Sequence, residues 1–239
     1  MIGLKTRPLV LFGGMMLVAL IALFPLRLAL GLFGLADEGL TAREAVGSVW
    51  WGGLSEARYG TVALGDLSAG LSPIQLFVGR ARIDVEGQEG TPNATLRGAL
   101  SFSRSTSGMD DVSAVVPAGD VFAPVPITSV TLDDVSVKFR DGRCERAEGK
   151  ITVTIAGTLP QLNLPPTLSG NARCEGGALL IPLASQAQTE SIAVSIEDDG
   201  KYRAVLTARP SDPNVGIALM AVGFKQVGAG YRLTVSGNF

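Results

Sequence analysis

ITSVTLDDVSVKFRDGRCERAEGKITVTIA, residues 127–156, is the stretch on which the fold turns. In its first half Val130, Leu132, Val135 and Val137 lie among Thr131, Asp133, Asp134, Ser136 and Lys138. Alternation of apolar and polar residues is the period of a strand with one buried face, because successive side chains point to opposite sides of a sheet. The phase slips at Asp133-Asp134, which predicts a bulge that absorbs one extra residue. In the second half Ile151, Val153 and Ile155 alternate with Thr152 and Thr154, and Asp141-Gly142 between the halves is a hairpin signal. Two strands are therefore predicted here, Ile127–Arg140 and Cys144–Ala156.

The same texture runs outward in both directions. Upstream, short apolar or alternating runs predict strands at Ala45–Trp51, Leu54–Tyr59, Thr61–Leu64, Leu67–Leu71, Ala81–Glu86, Ala94–Arg104 and Val112–Val116. Downstream they predict Thr167–Cys174, Gly177–Pro182, Glu190–Glu197, Tyr202–Ala208 and Tyr231–Ser236. Thirty glycines and 13 prolines in 239 residues supply the turns between them. Two short helices are expected, Pro73–Val78 after Ser72, and Pro213–Val222 with Asp212 as N-cap and Gly223 as C-cap. Proline-bounded crossings at 117–126 and 162–166 divide the strands into two groups. The fold class is all-β, mostly antiparallel, with residues 45–239 as the β-rich domain.

At the other end of the chain, Leu9 to Leu26 (LVLFGGMMLVALIALFPL) carries no charge. At about 1.5 Å per residue it nearly crosses a ~30 Å hydrocarbon core. Apolar residues resume after Arg27, whose long side chain can snorkel to the interface. A transmembrane helix over residues 9–35 is predicted, with 1–8 cytoplasmic and 36–44 as a linker. Lys5 and Arg7 before it, with Asp37 and Glu38 after it, orient the N-terminus inward and place the β-rich domain in the periplasm. A signal peptide cut near Gly34-Leu35-Ala36 competes, but 18 uncharged residues exceed the usual ~7–15-residue signal core and favour a retained anchor.

Mean hydropathy of +0.33 and only 18% charged residues exclude a disordered chain. The absence of histidine removes Ser-His-Asp and Cys-His catalysis and most catalytic zinc sites. Three of the 20 basic residues precede Ala36, so 17 basic face 22 acidic residues beyond it. With no basic cluster interleaved with aromatics, nucleic acid is discarded as a partner. Cys144 and Cys174 are the only cysteines, an even number in a compartment the anchor makes oxidising, and a disulfide between them is expected.

Motifs that resemble chemistry do not hold up. Gly149-Lys150 has Cys144 where a phosphate loop needs its first glycine and Ile151 where it needs Ser or Thr. Gly228-Ala229-Gly230 lacks the remainder of a dinucleotide fingerprint and reads as a hairpin turn. Asp110-Asp111, Asp133-Asp134 and Asp198-Asp199 read as turns and solvated edges. No catalytic, cofactor-binding or metal-ligating residue is assigned. Trp50 and Trp51 point to opposite faces if the backbone is extended, so one can pack while the other is offered to a partner; both packed in the core, or a place at the membrane–water boundary, are the alternatives. Trp50, Trp51 and Leu54 are the candidate interface residues.

One ordered set of residues resembles the type II secretion system protein N family. It begins with Gly47, Trp50 and Gly52 soon after the anchor, continues through Gly65 to Pro73, and reaches Gly79 and Arg80. It is taken up again at Cys144, at Gly170 with Cys174 and Gly177, and at Gly223 with Gly230. The resemblance implies a non-catalytic, inner-membrane-anchored accessory subunit of a type II secretion apparatus. Its partners would be other secretion subunits, the secretin and the inner-membrane platform. By analogy with AsmA-like proteins, the domain would be an elongated sheet, and an alternative reading is a lipid-handling protein with an apolar sheet groove.

Overall fold

The computed structural model describes residues 8–32, 40–60, 62–88, 94–117, 127–155, 166–210, 213–221 and 223–238. The chain enters through α1 (Pro8–Ala22) and α2 (Leu26–Leu32). Strands β1 (Leu40–Thr41), β2 (Glu44–Gly47), β3 (Gly52–Tyr59) and β4 (Val62–Leu71) follow, then α3 (Pro73–Phe77). Next come β5 (Ala81–Gly87), β6 (Arg97–Phe102), β7 (Thr106–Pro117), β8 (Ile127–Arg140) and β9 (Arg143–Ile155). The last third holds β10 (Thr167–Asn171), β11 (Arg173–Glu175), β12 (Ala178–Ala184), β13 (Glu190–Ile196) and β14 (Lys201–Ala208). Helix α4 (Pro213–Ala221) and strands β15 (Lys225–Val227) and β16 (Gly230–Asn238) close the chain.

All sixteen strands join one antiparallel sheet, ordered β1-β3-β4-β5-β6-β7-β8-β9-β10-β12-β13-β14-β16-β15, with β2 beside β3 and β11 beside β12. Nearly every neighbour in space is a neighbour in sequence, so the sheet is a long meander. One end of the sheet gathers the turns at 48–51, 72–80, 103–105, 141–142 and 197–200.

The β8–β9 hairpin turns at Asp141-Gly142, both at positive φ. Its register breaks between Asp133 and Ser136, where Asp134 sits at φ 48°. A neighbouring break in β7 centres on Asp111 at φ 50°. The two bulges are tied together: Ser113 Oγ donates to Asp134 (3.0 Å) and Ser136 Oγ donates to Asp111 (3.1 Å). The Asp111 and Asp134 amides donate in turn to the Ser136 and Ser113 hydroxyls. An aspartate in the left-handed region thus has its amide and carboxylate both satisfied by one serine, which offsets the backbone cost.

The main core lies between the faces of β8–β14, which curl over one another. Val135, Ile151, Val153, Leu168, Leu183 and Leu206 are among its buried members. A hydrogen bond from Ser107 Oγ on β7 to Asp198 in the β13–β14 turn (2.7 Å) crosses the mouth of this roll. A smaller cluster under β3 and β4 holds Leu26, Leu54, Ala57 and Leu67. Burying apolar area at roughly 25 cal/mol per Å² is the main force holding both clusters together.

Several expectations need correction. A single span over residues 9–35 is not formed: the helix breaks between α1 and α2, and among the described residues no helix is long and apolar enough to cross a membrane. Pro25 lacks an N–H and restricts Phe24 before it, so the helix ends there. Instead Pro25 forms an antiparallel bridge with Ser48, and α2 folds onto the sheet with Leu26 and Ala29 buried. Strands expected separately at Thr61–Leu64 and Leu67–Leu71 are the single strand β4, which continues through Gly65 at φ 71°. β7 starts six residues earlier than the strand expected at Val112, and β15 was not expected. The proposed N-cap Asp212 and most of the crossings at 117–126 and 162–166 lie outside the described residues.

Candidate functional site

Among the described residues no catalytic constellation is assembled. Among the described residues no group of three or more His, Cys, Asp or Glu side chains gathers to hold a metal. The paired acids are absorbed into the sheet: Asp110 takes an ion pair from Arg82 (3.2 Å), Asp111 and Asp134 pin the bulges, and Asp199 pairs with Lys201. The hydrogen bond from Lys201 is the main reason that the Asp199 carboxyl is held below the usual carboxylate range. Glu145 is lowered in the same way by a hydrogen bond from Lys138, with Arg140 beside it.

Cys144, at the start of β9, and Cys174, in β11, form a disulfide with Cα atoms 5.4 Å apart. It fastens β11 against the tip of the β8–β9 hairpin, where the Cys144 amide also donates to the Gly177 carbonyl (2.7 Å). An apolar cleft of about 100 Å³ lies inside the roll, lined by Ile127, Ile151, Ile181, Val194, Tyr202 and Val235 among others. That is below the ~300–1,000 Å³ of ordinary small-molecule pockets.

Two surface features lie toward the two ends of the chain. On α1, Val10, Phe12, Met15, Leu17, Val18 and Leu20 are all exposed, so the helix is apolar all round and bare. Its C-terminal end is tied to the β2–β3 turn. The Trp50 indole N–H donates to the Ile21 carbonyl (2.9 Å), and the Val49 amide donates to the Phe24 carbonyl (2.9 Å). The first reaches one of the carbonyls that a helix end leaves without intrahelical partners, and the second holds the link just beyond it. Trp51 is 82% exposed, whereas Leu54 is buried between Leu26 and Leu67 and presents no surface to a partner. The strand expected over Ala45–Trp51 ends at Gly47, so the tryptophans lie in a turn and not on an extended backbone; that Trp50 caps a helix 29 positions away has no local pattern to encode it.

Two glycines of the ordered motif, Gly52 and Gly170, sit where a side chain would collide with a neighbouring segment. A Cβ on Gly52 would overlap the Leu26 side chain and approach the Ser48 carbonyl to 2.9 Å, so glycine here lets α2 seat on the sheet. A Cβ on Gly170 would overlap the Pro182 carbonyl of β12. Gly47 closes β2, Gly65 lies in β4, Gly79 and Arg80 link α3 to β5, Gly177 precedes β12, Gly223 follows α4 and Gly230 opens β16. Pro73 is the first residue of α3.

At the far edge, β16 pairs with β14 along Tyr231–Asn238, but β15 covers only Gly230–Arg232. Among the described residues, Leu233 to Asn238 therefore have no strand on their outer side. Thr234 and Ser236 are exposed there. An open strand edge is a row of backbone donors and acceptors ready to pair with another strand.

A bare apolar helix leading into a single antiparallel sheet with an open edge defines a protein of the all-β class. The family model described as Type II secretion system (T2SS), protein N, matches residues 38–234. The chain belongs to that family and is a component of a type II secretion system. It is similar to a protein of Vibrio cholerae serotype O1 named Type II secretion system protein N, 24% identical over 216 residues and covering 84% of each chain. No solved structure matches.

Proposed function

We propose that this protein is a non-catalytic accessory subunit of the secretion apparatus, inserted in the inner membrane by α1 with its sheet in the periplasm. There it contacts the secretin or the inner-membrane platform while folded proteins are exported. The observation that carries the reading is the open edge of β16, Leu233–Asn238, an acceptor for a strand of a β-rich neighbour. Strand addition supplies affinity through main-chain hydrogen bonds and takes specificity from side chains such as Thr234 and Ser236. The bare surface of α1 supports the membrane part, since ten or so large apolar side chains in water would be strongly unfavourable.

The test is photocrosslinking in cells from a photoreactive residue at position 234 or 236. An adduct with the secretin or a platform subunit is expected. Adducts only with unrelated proteins, or none while the protein is present at normal level, would refute the edge as the contact.

A further inference from the structure

A second patch of exposed apolar residues lies beside the end of α1. In α3 and just after it, Phe77 is 92% exposed, Ile74 76% and Val78 70%, and the short helix buries none of its residues. Trp51, in the β2–β3 turn, is as open. Backbone hydrogen bonds connect these turns to α1: Val49 donates to Phe24, and Leu71 donates to Val49 (2.9 Å each), two residues before α3 begins. The three segments 24–32, 45–55 and 67–81 contain Arg27 and Arg80 and not one acidic residue. Both arginines are exposed. A cluster of Trp, Phe and Ile flanked by arginines matches the acyl–headgroup boundary, where rings lie at the interface and guanidinium groups reach the phosphates.

We propose that Trp51 and the segment Ile74–Arg80 form a second lipid contact, seated in the leaflet where α1 ends, with Arg27 and Arg80 at the level of anionic headgroups. The inference rests on the membrane insertion of α1 proposed above and extends it from an anchor to a footing. A helix of 15 residues is about 22 Å long at ~1.5 Å per residue, shorter than the ~30 Å hydrocarbon core. One short helix alone leaves the sheet free to swivel. With α3 also in the interface, two points fix the orientation of β2–β5 relative to the membrane.

The test uses the full chain in vesicles of phosphatidylethanolamine and phosphatidylglycerol, with single labels on Phe77→Cys, Trp51→Cys, Met16→Cys and Gln186→Cys. The native cysteines are joined in the disulfide and do not compete for label. Nitroxide on shallow acyl-chain positions should remove most of the fluorescence at 77 and 51, while iodide in water leaves it. The label at 186, at the opposite end of the sheet, should respond only to iodide. Iodide quenching at 77 and 51, with lipid quenching at 16, would overturn the footing and leave the anchor standing. A label at 77 silent to both quenchers would mean a protein contact and would also overturn it. Lipid quenching at 77 without any at 16 would retain the patch as a membrane contact and remove α1 as the anchor.

Discussion

Gly170 carries a steric constraint that can be tested by one methyl group. Its Cβ direction points at the Pro182 carbonyl, a backbone atom that cannot rotate away as a side-chain tip would. Gly170→Ala should therefore act as overpacking does, costing about 1–3 kcal/mol. Urea unfolding of the two proteins should show a lower midpoint with unchanged slope for the variant, and coincident curves would show that β10 and β12 can separate without loss. Charge makes a second prediction at this scale. The Glu145 carboxyl is lowered by its hydrogen bond from Lys138 and by Arg140, so its folded value lies below its unfolded one. Its contribution to stability is present above the unfolded value and disappears as the pH falls through the folded one. Between about pH 6 and about pH 3, Glu145→Gln should thus lose less Tm than the wild type, by a small margin because the pair is solvated. Asp199 has the same sign, so Asp199→Asn should behave alike. Steeper acid loss in either variant would contradict these assignments.

The β8–β9 hairpin and its disulfide set the next prediction. Cys144 and Cys174 are 30 positions apart, and closing a loop of that length is worth roughly 3–4 kcal/mol in the chain-entropy account. Replacing both with serine should lower the unfolding free energy by that order, as should reduction of the wild type. A loss well under ~1 kcal/mol would place the burden on β-pairing instead. This hairpin was also the most legible part of the chain. Alternation, the slip at Asp133-Asp134 and the Asp-Gly turn each act through neighbours in sequence, and the strand bounds fall within a residue of the observed ones. Legibility failed where the deciding contact is distant. Residues 26–32 have the composition of membrane helix, yet Pro25 bridges Ser48 and Gly52 gives Leu26 a seat on the sheet. β15 has only three residues, too few to show any period, and exists because Gly228-Ala229 folds it back onto β16. Leu54, a candidate interface residue by its place beside the tryptophans, is turned inward by the sheet under α2.

The meander as a whole divides its stability unevenly. Among the described residues, thirteen buried side chains form the cluster within β8–β14 and four form the cluster under β3 and β4. The first group is rolled, so that Ser107 and Asp198, 91 positions apart, meet across its mouth. The second is a thinner layer, packed by α2 and by residues of the flanking strands such as Ala45 and Val85. Because each strand pairs mainly with its sequence neighbours, the sheet can open in contiguous blocks, and local unfolding follows the thinner core. Native-state hydrogen exchange should accordingly show the amides of β3–β6 exchanging through low-energy openings, faster than those of β8, β9 and β12–β14. The contrast also bears on how the surfaces work together. A rigid roll carrying β16 at one side and a softer layer joined to α1 at the other would let the anchor region adjust to the bilayer without disturbing the open edge. Protection that is uniform across all strands would mean that the sheet opens as one unit, and the two halves would then move together. If instead protection in β3–β6 rises on insertion into vesicles while that of β8–β14 stays constant, the membrane supplies the cover that the thin half lacks.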